Sequence, residues 1–539
     1  MRKIESIFIY IGLIAVIAAT GTSVLKKIQH KTNSDNTTLT TDTPFGSFLA
    51  LQHAVYVNDF DSALKMSKQL QDIDIKPVRN AKISAEFLSG KLPDDANILK
   101  NEKSLTASFV YDAYLTKNKK WKELYSRHKN DESALVAPFK IWSGIANEYI
   151  TKTLKFIDKL PTNDSWRAFV RGQIYAEIGK IDEAVKSFEK VSPDFININD
   201  YLYMMSFYKH FDMPEKAATL KYRFIARPAG MFLVNFDDIP DWSRYQGIEN
   251  ALAFSLLQNV SHTQIMLYSD LSVLMMRFAE VSAPDFAKDN DALIYYMGQF
   301  FFNNQGDAEK YFAKIKTNSP FYPFVAIRRA EQGNDITGLN DALEKFPNFV
   351  PAINKVVGHH IKNGNKNAAI KTINNAIGNE RLDELSRAFF IKSRAQIYYS
   401  FNDLDMAQRD IDMALQSLDA DPEILSLQAK IWAAQNTNIE EAYKYAMILV
   451  TKNPADVLAW DTLGVVVAAR EGAQAALEVL ERVGEVSKTN SALFMHLGDI
   501  YVSVGDFDKA YRSYMRAIDL SDDGLTVVPE IERKIRKIK

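Results

Sequence analysis

The chain has 539 residues, 47% of them hydrophobic and 12% aromatic, which predicts a folded protein made of several domains or one extended array rather than a single core. Its 65 basic and 67 acidic residues leave a formal net charge of -2, so no bulk positive field exists to hold nucleic acid. The lack of any cysteine excludes disulfides, thiolate metal sites, cysteine nucleophiles and a lipid-modified N-terminal cysteine.

Residues 1–25 predict a signal anchor or a signal peptide. Residues 6–25, "SIFIYIGLIAVIAATGTSVL", carry no charge. At ~1.5 Å per residue they reach across a hydrocarbon layer of ~30 Å. An uncleaved anchor is the favoured reading, and the small residues Ala18, Ala19, Gly21 and Ser23 leave cleavage as the alternative. Lys26, Lys27 and Lys31 against Arg2 and Lys3 favour a cytoplasmic bulk by charge count. The polar linker over 26–43 suits instead a tether outside the cytoplasm.

From residue 44 onward the periodicity is helical, with no convincing strand alternation. The 22 glycines and 17 prolines are also sparse for an all-β chain. Residues 44–226 read as degenerate helical repeats. Ala54, Phe60, Ala63 and Leu70 make a weak first copy, and Gly172, Tyr175, Gly179, Ala184 and Phe188 make a clearer one. Residues 227–246 are rich in Pro, Gly and Asp and read as a break. Asp237, Asp238, Asp241, Trp242 and Arg244 are candidate ligand groups within it.

Residues 247–386 are a middle set of helical repeats. The aromatic run "YYMGQFFF" at 295–302 is predicted to fill inter-helix core, and His360, Gly364, Ala369, Ile373 and Ala376 mark another copy. The clearest copies span 387–524. One frame reads Ala395, Tyr398, Ala407, Ile411 and Ala414; the next has Ala429, Trp432 and Ala442. Trp460, Leu463, Gly464, Val467, Ala476 and Leu480 follow, then Phe494, Leu497, Gly498, Tyr501, Ala510, Tyr514 and Ala517. The small residues Ala395, Ala429, Gly464 and Gly498 recur at about 34–35 residues. They mark where paired helices approach most closely, and Gly505 suits a left-handed end to the first helix of its pair. Residues 525–539 end in a basic segment whose Ile531, Ile535 and Ile538 stripe predicts a helix capping the array.

This frame resembles the tetratricopeptide-repeat family, most strongly over the final ~140 residues. The resemblance implies an all-α fold, a right-handed α-solenoid of antiparallel helix pairs following the N-terminal transmembrane or signal helix. With its export signal, the "GSFLA" opening at 46–50 and C-terminal tandem repeats, the order of parts also resembles long alphaproteobacterial repeat proteins of the cell envelope.

Chemistry is poorly signalled. Gly172, Gly179 and Lys180 miss phosphate-loop spacing, since six residues separate the glycines and Ile181 follows the lysine. The eight histidines show no i, i+4 pair, and adjacent His359 and His360 point to different helix faces. No catalytic residue, cofactor or metal site is predicted.

The expected activity is therefore a non-catalytic scaffold that binds extended peptides or helices of other proteins in a concave groove lined by first helices. Lys392, Gln396, Tyr399, Ser426, Lys430, Asp461, Met495 and Asp499 are the candidate partner-binding positions. The N-terminal helix is expected to hold the chain in the inner membrane with the repeats in the periplasm, or to direct secretion there after cleavage. The alternatives are a polysaccharide or outer-membrane assembly factor using 227–246 as a ligand site, or a cytosol-facing signalling or chaperone adaptor. Neither nucleic acid nor a small-molecule substrate is expected.

Overall fold

The computed structural model describes residues 44–539 apart from 74, 135, 264–269, 334–335, 419–420 and 488. The expected span at 1–25 and linker at 26–43 lie outside the described residues. Within the described residues the regular structure is entirely helical, and no helix is long and apolar enough to cross a membrane.

The chain forms two compact units, divided between Lys103 and Ser104. In the first, α1 (Pro44–Tyr56), α2 (Phe60–Gln69) and α3 (Lys76–Leu88) share a core of Leu51, Ala54, Ala63, Met66, Leu70 and Val78.

The second unit is a succession of helix hairpins. It begins with α4 (Leu105–Lys117), α5 (Trp121–His128), α6 (Ala137–Ala146), α7 (Ile150–Lys159), α8 (Asp164–Glu177), α9 (Ile181–Phe188), α10 (Ile198–His210) and α11 (Pro214–Ile225). Past residue 246 come α12 (Ile248–His262), α13 (Asp270–Ser282), α14 (Pro284–Ala287), α15 (Asp291–Asn303), α16 (Glu309–Phe312), α17 (Tyr322–Gly333) and α18 (Thr337–Lys345). The C-terminal pairs are α19 (Val350–Lys362) with α20 (Lys366–Ile377), α21 (Glu384–Ser400) with α22 (Leu404–Ala414), and α23 (Pro422–Gln435) with α24 (Ile439–Lys452). Next are α25 (Val457–Glu471) with α26 (Ala473–Val486) and α27 (Ser491–Val504) with α28 (Phe507–Asp519), before the final α29 (Val528–Ile538).

Local chemistry sets these boundaries. Asp383, Asp421, Asp456 and Asn490 each accept a backbone N–H at the start of α21, α23, α25 and α27, satisfying donors the helix leaves open. Gly505 then ends α27 in the left-handed region at φ 82°, turning the chain into α28.

Packing inside a pair depends on missing side-chain volume. A Cβ on Gly498 would lie 2.4 Å from the Tyr514 ring, one on Gly464 2.2 Å from Leu480, and one on Gly172 2.3 Å from Phe188. Ala184, Ala395, Ala407, Ala414, Ala429, Ala476, Ala510 and Ala517 are fully buried, with Leu463, Leu497 and Tyr501 buried beside them. Tyr175, Tyr398 and Trp460 are half-buried, and the Trp460 indole donates to the Pro454 carbonyl at 2.8 Å. In α15, Gly298 repeats the device against Phe312 at 2.4 Å, with Tyr295, Phe300 and Phe301 buried around it. The expected terminal helix lays Ile531 and Ile535 into the core shared by α23 to α28.

Residues 227–246 differ most from the sequence reading. They pack as an internal wedge: Met231, Phe232, Leu233, Val234, Phe236 and Trp242 are all buried. Phe232 meets Phe349 edge-on with centroids 5.0 Å apart, and Trp242 meets Tyr203 at 5.1 Å.

Candidate functional site

The first helices α19, α21, α23, α25 and α27 face a common cavity of about 650 Å³. The C-terminal loop and α29 complete its wall, and no second helix contributes a residue. All eight partner-binding candidates line it: Lys392, Gln396, Tyr399, Ser426, Lys430, Asp461, Met495 and Asp499.

The helices around this half-open cavity close into a ring. The chain end returns to α19, where a Cβ on Gly524 would stand 2.5 Å from the Gly358 Cα and φ is 72°, so glycine is required at 524, while a Cβ on Gly358 would be a tight 3.2 Å from Gly524. Lys362 pairs with Asp522 at 2.5 Å, and Pro529 sits against Gly364. Val527 joins the core formed by Ile353, Ile361 and Phe390. Thr526 donates from its hydroxyl to Ser491 at 3.2 Å.

Five of the eight candidates, Lys392, Ser426, Lys430, Asp461 and Asp499, are bonded within the wall, which corrects the expectation of eight free groove contacts. Asp461 is 1% exposed and accepts from Lys430 Nζ at 2.5 Å and from His496 Nδ1 at 2.7 Å. Burial pushes the Asp461 carboxyl up, but His496 and Lys430 more than offset this and hold it well below the usual carboxylate range. Ser426 bonds Thr462 at 2.7 Å, and Lys392 is buried against Asp421 and Glu423 at 3.0 and 2.7 Å. The physical reason is proximity: successive first helices stand close enough for opposite charges to pair, and an unpaired buried charge would cost several kcal/mol.

Gln396, Tyr399, Met495 and Asp499 remain only half-buried on the chamber face. Asp499 accepts from Lys534 at 2.7 Å and from the Tyr514 hydroxyl at 2.6 Å. Burial, then the Asp461 and Asp499 carboxylates, push the Tyr399 phenol up, so it stays protonated as a hydrogen-bond donor. The chamber thus offers short polar side chains, a phenol and a thioether on a charge-compensated wall.

Sequence reasoning missed His496, Lys534 and Glu530 as wall residues. Lys430 lies one place after its frame's small residue, Asp461 three before and His496 two before. Frame alignment therefore never pairs them, and only the stagger between helices does.

The candidates at 227–246 do not form a site. Asp237 pairs with Lys221 at 2.7 Å, Asp241 accepts from the Ser243 amide at 2.8 Å, and Arg244 donates to the Lys288 carbonyl at 3.3 Å. Trp242 is buried and Asp238 is exposed. Among the described residues no cluster of three or more His, Asp or Glu is placed to hold a metal ion.

The tetratricopeptide-repeat family model matches residues 168–192 and 491–523, the segments holding α8–α9 and α27–α28. The chain carries tetratricopeptide repeats. One similar solved structure is a tetratricopeptide repeat protein from Parabacteroides merdae, at 12% identity over 55% of this chain and 96% of that one, with a TM-score of 0.28. Another is the Cut9–Hcn1 hetero-tetramer of the APC/C, at 13% identity over 93% of this chain and 97% of that one, with a TM-score of 0.29. These scores are too low to define a shared arrangement of helices. No curated protein matches the chain.

Proposed function

We propose that the chain is a non-catalytic scaffold whose C-terminal tetratricopeptide repeats, coiled as a right-handed solenoid, receive a short extended segment of a partner protein. Residues 1–25 tether it to the bacterial inner membrane with the repeats on the periplasmic side, where it assembles envelope proteins. One observation carries the recognition part: half-buried polar groups from the first helices α21 and α27 converge on one cavity of about 650 Å³. Repeats of this kind generally bind other proteins through inner-face side chains that core packing leaves over. The uncharged segment at 6–25 supports the tether.

Photo-crosslinking tests the site. A photoreactive phenylalanine analogue at Met495 should capture a defined protein partner, identified by mass spectrometry, that the same group at the exposed Met413 does not. Identical adducts from both positions, or none from Met495, would overturn it. Digestion of the repeats by protease in spheroplasts supports the periplasmic side, and protection assigns them to the cytosol.

A further inference from the structure

A second feature, remote in sequence from the chamber, concerns α5 to α7. A hollow of about 570 Å³ there is lined by Lys129, Lys140, Lys152, Lys155 and Lys159, with Glu132 as its one lining carboxylate. Spacing on α7 explains the cluster, because positions 152, 155 and 159 fall on one helix face. No carboxylate lies within ion-pair distance of Lys129, Lys152, Lys155 or Lys159 among the described residues, so four unneutralised ammoniums share one hollow. The carboxylates next to the patch are engaged: Asp131 bonds His128, and Asp158 pairs with Arg171.

Two aromatic rings, Tyr125 and Phe156, line the hollow among the lysines. Lys140 Nζ lies 3.7 Å from the Phe156 ring centroid and donates to the Asp131 carbonyl at 3.2 Å. Burial outweighs the pull of Asp131 and Glu132 and, with a smaller push from Lys152, leaves its ammonium less basic than usual. Thr153 is buried beneath the rings, its hydroxyl against Gly144 of α6. Like charges gathered round a concavity are self-repelling, and an anionic occupant relieves that repulsion. A concave floor with a ring at its base suits an extended chain with side chains to insert, while a flat bilayer would meet only the rim.

We propose that this lysine-lined hollow is a docking site for an acidic segment of a partner protein. Lysine ammoniums act as point charges and so accept carboxylates in many orientations.

The test uses the full chain and a fluorescein-labelled peptide containing a hexaglutamate run, with a hexaglutamine peptide and anionic phosphatidylglycerol vesicles as parallel arms. The glutamate peptide should bind at low salt, weaken as salt rises, and lose at least tenfold in affinity in the Lys152→Glu/Lys155→Glu/Lys159→Glu variant. These side chains are exposed, so the variant should keep the wild-type circular dichroism and melting temperature. Reversal of the exposed Lys186, Lys190 and Lys452 should leave binding within twofold. No peptide binding, equal loss in both variants, or binding to vesicles without binding to peptide would each overturn the proposal.

Discussion

At the scale of single residues, the repeat is held by atoms that are missing. Tyr514 is 1% exposed and tied by its hydroxyl to Asp499, so it cannot swing away from a Cβ on Gly498. Gly498→Ala should therefore cost about 1–3 kcal/mol in urea unfolding, as should Ala510→Leu, while the exposed Asp508→Asn stays near neutral. The chamber wall gives a second prediction. Asp461→Asn leaves Lys430 buried without its counter-charge and should cost about 3–5 kcal/mol, with Lys430→Met/Asp461→Asn recovering part of it. Because the Asp461 carboxyl is held below its ordinary value, its contribution is complete above about pH 4 and is lost as pH falls through the folded value. The gap between wild type and Asp461→Asn should accordingly close in acid; a gap independent of pH would count against the pairing.

Elements show how far the sequence could be read. The hairpins at Gly172, Gly464 and Gly498 were legible because glycine marks both the close approach and the period. Others were hidden where the turn residue between paired helices is neither glycine nor asparagine. Lys119, Glu148 and Gln305 all adopt positive φ, and nothing in their chemistry announces it. Gly298 was legible as a core position but not as a repeat mark, because its partner helix α16 has only four residues. The cost of the disguise is measurable. Glu148 is exposed at φ 63°, so Glu148→Gly should stabilise the chain by about 1 kcal/mol, read by urea midpoint.

The junction of α5 and α6 adds a pH signature. His128 bonds Asp112 through Nε2 at 2.9 Å and Asp131 through Nδ1 at 2.7 Å, an arrangement that favours the doubly protonated ring. Burial alone would push the imidazole down, but the two carboxylates more than offset it and raise it above the usual histidine value. A raised histidine contributes fully below about pH 6.5 and loses that contribution as pH climbs through its folded value. The difference in melting temperature between wild type and His128→Gln should thus shrink from mildly acidic to mildly alkaline buffer. A difference that grows over that window would contradict the assignment.

On the scale of the second unit, the C-terminal hairpins close on themselves instead of leaving an open groove. Composition and period could supply the helices and their pairing, since both follow from nearest-neighbour packing. Closure could not be read the same way, because Gly358 and Gly524 lie 166 residues apart and neither occupies a repeat-defining position. The same separation hid the wall charges, whose pairing depends on the stagger of successive first helices. The candidate positions nevertheless converged on the chamber, because facing inward from a first helix is a property of the repeat frame itself.

Recognition inside a closed ring of helices is the central claim, and closure itself can be measured. The chain lacks cysteine, so Lys362→Cys/Asp522→Cys gives two unique labelling sites where α19 meets the chain end. With nitroxides on both, the account predicts a dipolar-broadened spectrum that is relieved when Gly524→Val forces the two backbones apart. A spectrum equal to the sum of the two singly labelled proteins would mean that the ring stands open, and would contradict it.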